Sequence, residues 1–152
     1  MIKEDREIKS KAEIESVIER AWVCRLAMTG DDYPYIVPLC FGYKDNALYF
    51  HSGPKGKKLE LLAKNSKVCF EFDVDTDVKP AQKACKWGMK YQSVIGFGEA
   101  LFIEDPDEKR RALDIIMEHY SGGDAFEYPE DALKTTVVIK VDIQHITGKQ
   151  AE

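Results

Sequence analysis

Lys67-Val-Cys-Phe-Glu-Phe-Asp-Val-Asp75 decides the fold. Val68, Phe70, Phe72 and Val74 alternate with Lys67, Cys69, Glu71, Asp73 and Asp75. A period of two puts one set of side chains on a buried sheet face and the other on a polar one. The carboxylates of Glu71, Asp73 and Asp75 then share the polar face. At about 7 Å spacing they read as a solvated surface rather than a paired acid and base.

Working outward, Tyr91 to Ile103 makes a long strand, with Gly96 and Gly98 marking a bend or a close backbone approach. Val137, Ile139, Val141 and Ile143 alternate with Val138, Lys140 and Asp142 in a last strand. On the N-terminal side, strands are predicted over 23–29, 35–43 and 47–52. They are joined by turns at Gly30-Asp31-Asp32 and Lys44-Asp45-Asn46, so the three form an antiparallel meander. Pro38 cannot donate to a ladder and leaves its strand open or bulged on one side. Ser10 to Glu13 has capping-box spacing, and Ile14, Val17, Ile18, Ala21 and Trp22 follow at helical spacing, giving a helix over 11–21. A second helix covers 57–64 with Leu59, Leu62 and Ala63 inward. A third starts at Asp105-Pro106-Asp107-Glu108 and ends at Gly122-Gly123. Residues 76–90 read as a long mixed loop. Six strands and three helices with short antiparallel connections favour a mainly β (α+β) small barrel over a doubly wound sheet.

The chain has 152 residues, a net charge of −5, 44% hydrophobic and 32% charged residues. That length fits a single domain over 1–152. Its acidity disfavours nucleic acid, no apolar run approaches the ~20 residues that cross a bilayer, and the charged N-terminus lacks a signal-peptide core. A cytoplasmic protein is expected. Cys24, Cys40 and Cys69 lie in apolar runs as small buried side chains, whereas Cys85 lies in a polar stretch and is the more reactive. His51, His119 and His145 stand apart, without metal-ligand spacing, so no metal site is assigned. Gly96-Phe97-Gly98 lies inside a strand and opens no helix, which excludes a dinucleotide fingerprint.

Leu48-Tyr-Phe-His-Ser-Gly-Pro-Lys-Gly-Lys-Lys58 resists a purely structural account. A strand delivers His51 and Ser52, a glycine-containing loop turns, and Lys57 and Lys58 open a helix. Cations there oppose the helix dipole unless an anion joins them. A phosphate would draw backbone N–H groups, a serine hydroxyl and two ammonium groups onto one charge cluster. The alternative is a solvated lysine loop.

Tyr33-Pro-Tyr-Ile-Val-Pro-Leu39, Leu48-Tyr-Phe-His-Ser52, Gly56-Lys-Lys-Leu59, Asn65, Val68-Cys-Phe70 and Tyr91-Gln-Ser-Val-Ile-Gly-Phe-Gly98 together resemble the pyridoxamine 5′-phosphate oxidase-like flavin proteins, most of all their nitroimidazole-resistance branch. The resemblance runs from about Ile14 to Ile143. It implies a six-stranded split β-barrel homodimer with FMN at the subunit interface. It places His51 and Ser52 beside the ribityl phosphate and Lys57 and Lys58 on that phosphate. Val37, Pro38 and Leu39 fall on the strand whose backbone passes along the flavin ring, and Tyr91 and Ser93 on the strand reaching it from the partner. Trp87 either covers the ring or is a core or interface residue. The chain departs from the true pyridoxamine phosphate oxidases in having no arginine after Arg111, so a pyridoxal phosphate product is not expected. The implied activity is an FMN-dependent oxidoreductase reducing a small electrophile such as a nitroimidazole or other nitroaromatic. Alternatives are a flavin-storing module or a split barrel using haem or a deazaflavin. No catalytic residue follows from the pattern; His51 is the candidate for proton delivery.

Overall fold

A computed structural model describes residues 2–123 and 126–152. The chain runs β1 (Glu7–Ile8), α1 (Lys11–Arg20), β2 (Cys24–Met28), β3 (Tyr35–Leu39), β4 (Gly42–Lys44), β5 (Ala47–Ser52), α2 (Lys57–Lys64), β6 (Lys67–Lys79), β7 (Gly88–Ile103), α3 (Pro106–Ser121), α4 (Glu130–Thr135) and β8 (Val137–Ala151). All pairings are antiparallel in the order β3-β2-β6-β7-β8-β5-β4, with β1 added on β8. The inner faces of β2, β5, β6, β7 and β8 enclose one apolar core with Ile14, Val17 and Ile18 of α1 and Leu61 and Leu62 of α2. Tyr35, Val37 and Leu39 of the edge strand β3 pack against that same core. The two ends of the sheet therefore curl round one interior without hydrogen bonding to each other, which is a split barrel.

Local chemistry explains the elements. The Ser10 side chain accepts a hydrogen bond from the Glu13 N–H, and Asp105 accepts one from the Glu108 N–H ahead of Pro106. Each satisfies a donor the helix start leaves free. On β6, Phe70 lies opposite Gly96. A Cβ on Gly96 would overlap the Phe70 ring, and one on Gly98 would meet the Asp142 carbonyl oxygen. The glycines let the strands close tightly round the aromatic core.

Among the described residues there are eight strands rather than six, and four helices rather than three. The predicted strand 35–43 breaks at Cys40-Phe41 into β3 and β4, which lie at opposite ends of the sheet. The expected meander is therefore two hairpins. Phe41 sits in the crossing, fully buried, 4.8 Å from the Phe72 ring centre, and its N–H donates to the Tyr120 hydroxyl. Burying Phe41 turns the chain inward, and Tyr120 accepts the N–H that leaves the ladder. Cys40 is consequently exposed rather than buried.

The expected loop 76–90 is largely a hairpin. Asp77, Val78 and Lys79 pair with Lys90, Met89 and Gly88, which narrows the connection to residues 80–87. A register shift between Val74 and Asp77, with Asp75 at φ 55°, interrupts β6. It turns Asp75 off the outer face to meet Arg20 of α1, which also donates to Gln92. Asp75 therefore does not share a face with Glu71 and Asp73. The last strand continues past 143 to Ala151, with one residue bulged between Ile143 and His145. Trp22 lies beyond the end of α1 and is 68% exposed, stacked on Tyr120, instead of on the helix's apolar face. Leu61 replaces Ala63 among the inward residues of α2. No helix among the described residues is long and apolar enough to cross a membrane.

Candidate functional site

Ser52 ends β5, four exposed residues follow, and α2 begins at Lys57. Gly56 stands at the N-cap position with no side chain capping the helix. The N–H groups of the first turn are left for an outside acceptor, because only Glu60 N–H and later ones reach carbonyls within the helix. Leu61 and Leu62, both buried, anchor α2 and thereby fix its first turn. Lys57 is exposed and Lys58 half-buried, and neither joins an ion pair among the described residues. Burial pushes the Lys58 ammonium below the ordinary lysine range. Uncapped N–H groups, two unpaired ammonium groups and the Ser52 hydroxyl form a donor set suited to a phosphomonoester. A Cβ on Gly53 or Gly56 would meet nothing, so the loop leaves open space for one.

The other expected residues separate into two groups. On β3, Val37 and Leu39 pack into the core, and Pro38 is exposed opposite Arg25. β3 is an edge strand, so a planar ligand there would meet backbone rather than side chains. Tyr91 and Ser93 lie half-buried near the start of β7, and Trp87, just before it, is 54% exposed. Ser93 pairs with Lys149 and Ser52 with Val137, so the two serines sit at opposite ends of β8. At ~3.3 Å per residue that is about 40 Å of strand. One chain therefore does not bring Tyr91, Ser93 and Trp87 to its own lysine loop.

His51 is set apart as well. Ser52 follows the inward side chains Leu48 and Phe50 in alternation, whereas His51 points the other way. It lines a cavity of about 150 Å³ with Leu113, Met117, Tyr128 and Leu133, under α3 and α4.

Two clusters escaped the sequence reading. Trp22, Phe41, His119 and Tyr120 pack together beside the strand break, with His119 Nε2 2.7 Å from the Ala21 carbonyl oxygen and the Tyr120 hydroxyl donating to the Trp22 carbonyl. On the outer sheet face, Arg25 reaches both Glu71, at 3.4 Å, and Asp73, at 3.0 Å. Arg25 was the available signal, a lone cation inside the apolar run Val23 to Thr29.

The family model described as pyridoxamine 5′-phosphate oxidase matches residues 10–150. The chain belongs to this family. Within it, the chain is similar to a structurally characterised candidate 5-nitroimidazole antibiotic resistance protein from Bacteroides thetaiotaomicron. The two are 41% identical, with a TM-score of 0.86 over 95% of this chain and 86% of that one. An FAD-binding protein from Mesorhizobium loti is 26% identical, with a TM-score of 0.70 over 97% of this chain and 98% of that one. The FAD- and haem-binding protein of Mycobacterium smegmatis shares the fold at 19% identity, with a TM-score of 0.87 over 97% of this chain and 74% of its own. A curated relative, an uncharacterised protein of Rhizobium meliloti, is 36% identical over 65 residues, 43% of this chain and 42% of that protein. Of the solved structures similar to this member of the pyridoxamine 5′-phosphate oxidase family, the Mesorhizobium loti protein is thus a flavin-binding one.

Proposed function

We propose that the protein is an FMN-dependent oxidoreductase, acting as a homodimer, that reduces small electrophiles such as nitroimidazoles or other nitroaromatics. The observation that carries this is the uncapped start of α2 with Lys57 and Lys58, a donor set that fits the FMN phosphate. The similarity to the Bacteroides protein supports the substrate class. The separation of Ser52 from Ser93 along β8 supports a shared site, since a second copy supplies Tyr91, Ser93 and Trp87 to the first copy's lysine loop. The apolar side chains exposed on the outer face, Ile36, Ile95 and Phe97, and on the β6–β7 hairpin, Val78 and Met89, support burial against that copy. Four free cysteines suit a reducing cytoplasm.

FMN supplies the electrons when bound, and the chain's residues position it and the substrate. Lys57, Lys58, Ser52 and the first N–H groups of α2 hold the phosphate. The open edge of β3, where Pro38 removes a donor, offers carbonyl and N–H groups to the ring edge. Trp87, from the partner, excludes water from one side. His51 lies on the opposite face of β5 from Ser52, toward the cavity under α3 and α4.

The absorbance spectrum of the purified protein, followed by anaerobic reduction with a nicotinamide donor and addition of a nitroimidazole, tests this. Flavin bands that bleach and return as the nitro compound is consumed are expected. Flavin that never turns over would make the protein a flavin carrier, a Soret band would make it a haem protein, and a protein that stays colourless with added FMN would end the proposal.

A further inference from the structure

The outer sheet face carries two cross-strand rows. One reads Ile36, Ala27, Cys69, Phe97 and His145, and the next Pro38, Arg25, Glu71, Ile95 and Thr147. The first row presents Ile36 at 61% and Phe97 at 50% exposure. In the midst of this apolar surface two carboxylates share a single arginine. Arg25 Nη1 lies 3.4 Å from a Glu71 carboxylate oxygen and 3.0 Å from one of Asp73, so both acids converge on one guanidinium nitrogen. Two acids against one base leave a net negative charge on each copy when both are ionised, and covering the face with a second copy would bring two such charges together out of water.

We propose that Glu71, Asp73 and Arg25 form a proton-binding site that couples self-association through this face to pH, each copy retaining one proton on the carboxyl pair when the face is covered. This rests on the reading that a second copy completes the flavin site. The surroundings favour the proton. Desolvation first, then the hydrogen bond and charge of Asp73, push Glu71 up to about 7 against the opposing pull of Arg25. On β7, Ile95 lies opposite Glu71 and Ser93 opposite Asp73, so no second cation comes from that side. Beyond them on β8 stand Thr147 and Lys149, and the Lys149 ammonium lies over the Tyr91 ring, 5.9 Å from its centre. Cys69, on the same face of β6, has its thiol raised by burial and carries no charge to offset the pair. His145, stacked on Phe97, is the histidine of this face and stands a row away from the carboxyl pair.

The test is the dimer dissociation constant of the FMN-loaded protein by sedimentation equilibrium at about pH 6 and about pH 8.5, for wild type, E71Q, D73N and H145Q. Wild type should dissociate at least ~10-fold more readily at the higher pH. E71Q, neutral throughout, should remain tight and lose the dependence, D73N should shrink it, and H145Q should keep it. A wild-type constant that does not move with pH, or a dependence that persists in E71Q, overturns proton coupling while leaving the dimer intact. A protein monomeric at both pH values overturns the shared-site reading along with it. Thermal melts of each variant establish that it is folded, and should E71Q fail to fold, D73N decides alone.

Discussion

Replacing Lys58 with methionine should weaken FMN binding far more than the same change at Lys57. Both ammonium groups stand in the first turn of α2, and neither has an ion-pair partner among the described residues. They differ in solvation. Lys57 is exposed, whereas Lys58 is half-buried and its ammonium is pushed down by desolvation. A solvent-exposed ion pair contributes about 0.2–1 kcal/mol. A charge-assisted hydrogen bond shielded from water contributes about 1.5–3 kcal/mol. At ~1.4 kcal/mol per tenfold, Lys57→Met should raise Kd severalfold at most and Lys58→Met about 10- to 150-fold. Added salt should erase the Lys57 effect first, because exposed charges are screened more than shielded ones. The pH dependence has a definite sign. A bound phosphate raises the Lys58 pKa from its lowered free value, so binding takes up protons where the free ammonium is being lost. Affinity in the wild type therefore declines as pH rises through that range, and Lys58→Met should be flat there. Quenching of FMN fluorescence in an equilibrium titration measures all of this. Equal losses at the two lysines, or a Lys58→Met protein that binds FMN like wild type, would refute placing the phosphate on α2.

Other substitutions test how the fold holds that site. Gly96→Ala drives a methyl group into the Phe70 ring and should destabilise the protein by about 1–3 kcal/mol in urea unfolding. Phe70→Leu in the same chain should recover part of the loss. Tyr120→Phe removes the acceptor for the Phe41 N–H and the donor to the Trp22 carbonyl, at a cost of about 1–3 kcal/mol in the same assay. Lys109 donates to the Leu133 and Thr136 carbonyls at the end of α4, so Lys109→Met should speed amide exchange over 130–136 while leaving the barrel strands protected.

Where side chains alternate cleanly or a cap is written out, the sequence was sufficient. Val68 to Val74, the Ser10 and Asp105 caps and the 57–64 helix all stand as read, because a period of two and a short polar side chain before a helix act locally. What escaped depends on partners distant in the chain. β4 separates from β3 because Phe41 is drawn inward between Phe72 and Tyr120, residues far along the sequence. The polar run Gln144 to Ala151 is a strand because β7 and β1 pair with it, and nothing in its own composition says so. α4 is six residues long and is held by a buried Leu133 and by Lys109 of another helix. At the site, Lys57 and Lys58 are where the sequence put them, since seven successive residues, Ser52 to Lys58, define the junction. Asp75 was misplaced because the bulge that turns it toward Arg20 leaves no mark in the alternation. The Arg25 cluster was missed because its arginine comes from a different strand than its carboxylates.

A native mass spectrum of the protein mixed with FMN bears most directly on the shared flavin site. Two chains carrying two FMN molecules are expected, with the flavin lost when the dimer dissociates. A single chain retaining FMN, or a dimer that never acquires it, would contradict a site completed by the second copy.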